Sequence, residues 1–139
     1  MNQLIDDQLL GQVLRGAMPP GHEAPVFTTG YFYVRLCQAV LSSGTTDGVL
    51  SGPFAALPEA LRNQSVRALL ELPNDIGLVS LRELGPVIGQ LRHNHDLNIL
   101  GMEVLAAAVY LDAEVYLSAQ SPRLEASLRR EGRSVTRAS

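Results

Sequence analysis

Residues 1–16 read MNQLIDDQLLGQVLRG. Leu4-Ile5 is a short apolar run of the kind that ends a buried strand, and two carboxylates, Asp6 and Asp7, follow it directly. Leu9, Leu10, Val13 and Leu14 then recur at helical spacing. The pattern predicts that Asp7 caps a helix running to about residue 15, where Gly16 stops it. A strand that turns at once into an amphipathic helix is the first half of a βα unit.

The rhythm repeats downstream. MPPGHEAP reads as a loop by its Pro and Gly content, and Pro25-Val26-Phe27 as extended chain. Thr28 and Thr29 are placed to cap a helix over 30–41, and SSGTTDGVLSGP reads as a loop. A helix is expected over 58–72 with Pro58 as its first residue, and a buried strand over 76–79. Ser80 and Glu83 form a capping box for a helix ending near His93, which Gly85-Pro86 should kink or delay. The stretch 99–111 is strongly apolar and helical, with Ala106, Ala107 and Ala108 allowing close packing. A strand over 114–117, a helix over 122–130 ended by Gly132 and a last edge strand over 133–135 complete the chain. Short apolar strands alternating with longer helices predict a three-layer α/β/α sandwich around a mainly parallel sheet. The 139 residues suit a single domain, 1–139.

Composition narrows the function. The formal net charge is −3, which argues against a broad nucleic-acid binder while leaving room for a basic groove beside acidic ligands. All the formal positive charge is arginine and no lysine occurs, so Schiff-base and P-loop lysine chemistry have no residue to use. The absence of lysine also suggests a GC-rich source. Cys37 is the single cysteine, so no internal disulfide forms, and its apolar surroundings suit a packing thiol. No segment reaches the roughly 18 apolar residues of a membrane span, and no basic region precedes an apolar run at the start. A cytoplasmic protein is expected.

LIDDQLL resembles the first strand of PIN domains, the metal-dependent nuclease fold of many bacterial toxin ribonucleases. LNILGMEVLAAAVYLDAEVYLSAQSPRLEASLRREGRSV resembles the family's C-terminal half: an acid on an Ala-rich helix, a short strand ending in a hydroxyl residue, a helix and a last strand. In particular the chain resembles small actinobacterial PIN-like proteins. The resemblance implies Asp6 as the first-strand acid and Glu103 as the helix acid, the two catalytic candidates. Asp6, Asp7 and Glu103 would hold Mg²⁺ or Mn²⁺, with Asp7 an acid the family pattern does not require. Two usual acids are missing: Arg35 and Gln38 occupy the region of one, and Gln120 the place of the other, while Ser118 matches the hydroxyl residue. Losing two carboxylates weakens a hard-cation site strongly, and an inward Arg35 would neutralise Asp6 or Glu103.

Two readings follow. In one, the chain is a degenerate PIN-like domain acting through a protein partner or as a homo-oligomer. In the alternative, it is a divalent-metal-dependent ribonuclease of the toxin–antitoxin type, with RNA as substrate and a tight protein partner. Other constellations are weaker. His93-Asn94-His95 with Asp96 can chelate a metal, but reads more simply as a solvated helix end. Ser118 has no evident His and Asp companions for a triad. Tyr31, Phe32 and Tyr33 can stack on bases, but core packing accounts for at least two of them. Arg129, Arg130, Arg133 and Arg137 make the tail basic, as a solvated helix end often is.

Overall fold

The computed structural model describes residues 1–42 and 48–138. Five strands form one sheet: β1 (Asn2–Ile5), β2 (Val26–Thr28), β3 (Ile76–Leu78), β4 (Ala113–Leu117) and β5 (Val135–Arg137). Their order is β3-β2-β1-β4-β5, and every neighbouring pair is parallel. Among the described residues the connections hold seven helices: α1 (Asp7–Leu14), α2 (Gly30–Leu41), α3 (Gly52–Ala55), α4 (Glu59–Leu70), α5 (Leu81–Leu91), α6 (Ile99–Leu111) and α7 (Pro122–Arg130). Parallel strands need such crossovers, because the chain must travel back before the next strand begins.

Strand alternation sets the layers. Leu4 points to one face, into a cluster with Leu84 of α5, Leu105 of α6 and Leu128 of α7. Its neighbour Ile5 points to the other, into a cluster with Leu10 of α1, Leu36 of α2 and Leu69 of α4. The expected three-layer α/β/α architecture is therefore present. Helix α6 packs on α5, α7, β1 and β4, and every residue from Gly101 to Ala108 is buried. Its three consecutive alanines let those neighbours approach closely. On β3, Gly77 lies in register with Phe27, and a Cβ there would stand 2.5 Å from two ring carbons. Only a glycine admits the ring at that distance.

The expected boundaries differ from the observed ones in instructive ways. Helix α2 has the expected bounds, and its start is set by Thr29, which is extended and whose hydroxyl accepts the Phe32 N–H (3.1 Å). Thr28 serves the sheet instead, donating its hydroxyl to the Ile5 carbonyl (2.7 Å) and so tying β2 to β1. The Gly85-Pro86 pair neither delays nor ends α5, which runs from Leu81 to Leu91 with Pro86 inside it. Ser80 fixes the start, its hydroxyl accepting the Arg82 N–H, and the proline removes one amide donor from a helix already begun. Helix α4 begins one residue after Pro58, which holds the cap position. The last strand lies two residues later than expected. Gly132, with φ of 75°, turns the chain out of α7, and residues 133–134 carry it to the sheet edge. Of the loop expected over 42–53, residues 43–47 lie outside the described ones. Its end already forms α3, a single turn anchored by the buried Phe54. No helix among the described residues is long and apolar enough to cross a membrane.

Candidate functional site

The strand order reverses between β1 and β4: the chain leaves β1 toward β2 and leaves β4 toward β5. Such a switch point opens a crevice at the carboxyl ends of the strands, where open α/β sheets place their ligands. A cleft of about 530 Å³ lies there. Asp6, Asp7 and Gln8 after β1 line one side, and Ser118, Ala119 and Gln120 after β4 the other. Phe32 and Arg35 of α2, Asp96, Leu97, Asn98 and Leu100 around the start of α6, and Arg123 and Leu124 of α7 are among the other lining residues. The volume is in the range of small-molecule sites.

Asp6 is buried, and it is saturated by protein donors. Its Oδ1 accepts the Leu9 N–H (3.0 Å), which makes Asp6 the N-cap of α1. Its Oδ2 accepts both the Ser118 N–H (2.7 Å) and the Ser118 hydroxyl (2.6 Å). This corrects the expectation that Asp7 caps the helix. Ile5 still pairs with Tyr116 in the sheet, so residue 6 is the extended residue from which a side chain can reach forward to an N3 amide. Asp7 is instead the first helical residue.

Asp7 is in a poorer position. Its Oδ1 accepts the Gln8 N–H (2.8 Å), whereas its Oδ2 is buried without a hydrogen-bond partner. The Arg35 Nε stands 3.5 Å from Oδ2, an ion pair without a hydrogen bond, and the arginine side chain is 47% exposed. Burial, and next the negative charge of Asp6, push the Asp7 carboxyl above its ordinary value of 3.8, with Arg35 opposing them. The neutral form is therefore better tolerated in the folded chain than in the unfolded one. A carboxyl raised in this way contributes its stability fully below its unfolded pKa and loses it as pH climbs through the folded value. Asp7→Asn should accordingly be more stable than the parent at pH 7, by about 0.5–1 kcal/mol. Urea unfolding across pH is the check, and the advantage should vanish below the ordinary carboxylate value of 3.8, where the Asp7 carboxyl is neutral in the folded and unfolded chains alike.

Arg35 thus pairs with Asp7, where Asp6 or Glu103 was expected. Glu103, buried on α6, lies outside the cleft lining. Its Oε1 accepts the Tyr31 N–H (3.1 Å) at the start of α2. That helix has no acid in its own first turn, so Glu103 supplies the negative charge its N-terminus favours. Gln120 and Ser118 face the cleft, Ser118 with its hydroxyl committed to Asp6.

The donor set can be weighed against a hard divalent cation, which takes six or more oxygens and relies on carboxylate charge. Both Asp6 oxygens already accept hydrogen bonds, Glu103 binds a helix amide and Asp7 offers one free oxygen beside an arginine. No three His, Cys, Asp or Glu side chains among the described residues stand together as a metal-binding group. The residues present do not fit Mg²⁺ or Mn²⁺ in this arrangement.

The surroundings of His95 escape local sequence reading. Expected on a solvated helix end, His95 is buried, and its Nε2 lies 2.6 Å from a Glu131 carboxylate oxygen just past α7. Arg130 and Arg123 donate to the carbonyls of Asn94 and Asp96 from the same helix. Together they strap the segment before α6, which walls the cleft, onto α7. A spacing of 36 residues between His95 and Glu131 leaves no local signal of the pairing. Of the three aromatics at the start of α2, Phe32 is buried, Tyr33 donates to the Leu69 carbonyl (2.7 Å) and Tyr31 is exposed. No family model, curated protein or solved structure matches the chain.

Proposed function

We propose that this chain is a PIN-like α/β domain whose acidic site no longer carries out hydrolysis, and that it acts by binding a protein partner in the cytoplasm. The observation that carries the reading is the saturation of Asp6. The residue that the resemblance makes the first metal ligand holds α1 and the β4–α7 turn together through three hydrogen bonds. Glu103 likewise serves α2, and Arg35 adds positive charge where a metal site needs negative charge. A binding role also suits the outer face of α2, where Tyr31, Val34 and Leu41 are exposed and Arg35 is the helix's one charged residue. Such an apolar face suits a partner or a second copy of the chain.

The second reading, a metal-dependent ribonuclease, is favoured by the free Oδ2 of Asp7 beside Asp6 at the strand ends. Calorimetric titration with Mn²⁺ separates the two. The binding-module reading expects no saturable heat at millimolar Mn²⁺, and no magnesium-dependent cleavage of a fluorescent single-stranded RNA. Saturable binding that is lost in Asp6→Asn, a variant first shown to be folded, would overturn it.

A further inference from the structure

The cleft holds a pairing that is incomplete. Among the described residues, two buried side-chain polar atoms lack a hydrogen-bond partner: Asp7 Oδ2 and His95 Nδ1. An imidazole nitrogen without a donor is a modest loss. A buried carboxylate oxygen without one is a larger loss, because desolvation falls on the charged form. Asp7 is 8% exposed, lines the cleft and is not tied to Asp6 by any hydrogen bond. The cation paired with its Oδ2 is Arg35, and Arg35 is a loose partner. Its Nε stands 3.5 Å away and its side chain is half exposed, on a helix face open to solvent. The cation nearest the free acceptor therefore neither bonds it nor is fixed by burial.

The rest of the lining is mixed: Gln8, Asn98, Gln120 and the Asp96–Arg123 pair are polar, and the remainder is largely apolar. Phe32, Leu97, Leu100, Leu117 and Leu124 face the same volume as Asp7. A carboxylate with an unpaired oxygen and several aliphatic and aromatic side chains lining the same cleft select a molecule of matching polarity: one compact cationic head able to reach hydrogen-bond distance, and a hydrocarbon body behind it. A phosphate or carboxylate ligand would meet the charges of Asp6, Asp7 and Asp96, against two arginines, Arg35 and Arg123, that are already paired with Asp7 and Asp96. A fully apolar ligand would leave Asp7 Oδ2 unpaired. An ammonium donates up to three hydrogen bonds from a single point and is smaller than the guanidinium it displaces.

We propose that the cleft binds a primary alkylammonium group on Asp7, the ammonium displacing Arg35 and the alkyl chain lying on the leucine walls. The inference rests on the cleft being free of a catalytic metal, as the binding-module reading has it. Two sources offer the same chemistry, a free aliphatic amine and the lysine side chain of a partner polypeptide.

Asp7 and Arg35 act on such a ligand in opposite directions, one holding the ammonium and the other competing with it. n-Hexylammonium is titrated into the full chain at pH 7 by calorimetry, with n-hexanol as the uncharged isostere and Nα-acetyl-lysine amide as the side-chain mimic. Saturable binding of the amine over the alcohol is expected, weakened roughly tenfold in Asp7→Asn and tightened several-fold in Arg35→Gln, which removes the competing cation. Circular dichroism confirms that both variants are folded. Tighter binding of hexylammonium assigns a free amine, and tighter binding of the lysine mimic assigns a polypeptide. Equal binding of amine and alcohol, or a loss of affinity in Arg35→Gln, overturns the proposal. So does an absence of amine binding. If Mn²⁺ binds in that case, the binding-module reading falls with it; if Mn²⁺ does not bind, that reading stands alone.

Discussion

Asp6→Ala should cost the fold about 3–5 kcal/mol, a large share of the 5–15 kcal/mol that holds a typical domain together. Loss of an N-cap alone costs about 1 kcal/mol. The rest comes from the other end of the side chain. Removing the carboxylate also leaves the Ser118 N–H without its acceptor, at about 1–3 kcal/mol, and the capped Leu9 N–H is itself buried, which puts the cap loss at the upper end of its range. The Ser118 hydroxyl, at a partly exposed residue, can turn to water. Asp6→Asn should be milder, about 1–2 kcal/mol, because its amide oxygen still caps Leu9 and its NH₂ can donate to a rotated Ser118 hydroxyl. Ser118→Ala should cost about 1 kcal/mol, since the backbone N–H still reaches Asp6. Equilibrium urea unfolding of the three variants tests this order. The outcome bears on function as well as stability. A carboxylate kept for chemistry typically strains its surroundings, so its removal is neutral or stabilising. A carboxylate kept as a joint between β1, α1 and β4 is costly to remove. A neutral Asp6→Ala would mean that its oxygens are free for a ligand, and the binding-module reading would lose its main support.

The contrast between Asp6 and Asp7 also shows where sequence reasoning stops. Local signals were legible. Short apolar runs marked β1 to β4, and Thr29, Ser80 and Gly132 bounded their helices close to where they were expected. These signals act within a few residues, through capping bonds and allowed backbone angles, so a single sequence carries them. The site depends on partners far apart in the chain. Asp6 meets Ser118 at a separation of 112 residues and Glu103 meets Tyr31 at 72. The resemblance placed Asp6, Glu103 and Ser118 in one neighbourhood, but it did not reveal that their hydrogen bonds are spent on one another and on helix ends. Which of two adjacent acids caps α1 depends on where β1 stops pairing with β4, a tertiary fact. Single-turn α3 was missed for a related reason. Gly52 and Pro53 look like loop punctuation, and only the burial of Phe54 among α1 and α4 neighbours holds the turn.

Helix α6 is where the largest purely apolar effect should appear. Leu105→Ala is expected to destabilise by about 2–5 kcal/mol, through lost transfer energy and the cavity left behind. Leu105 has no exposed surface, and its cluster joins Leu4 of β1, Leu84 of α5 and Leu128 of α7, so the lost volume is ringed by three different elements. A site walled from several sides collapses poorly, which places the cost in the upper half of that range. Ile99→Ala on the same helix supplies the internal control. Ile99 is 64% exposed, so its removal should shift stability by no more than about 0.5 kcal/mol. Thermal and urea unfolding of the pair measure the contrast. A Leu105→Ala cost near that of Ile99→Ala would mean that α6 is not the buried spine of its layer. The cleft would then lose its footing too, because the first turn of α6 forms one of its walls and the body of the helix carries Glu103 to the start of α2. A stable α6 holds both at once. The structural cost of Leu105→Ala should therefore be accompanied by earlier hydrogen exchange at the Tyr31 amide, which Glu103 protects only while α6 stays seated.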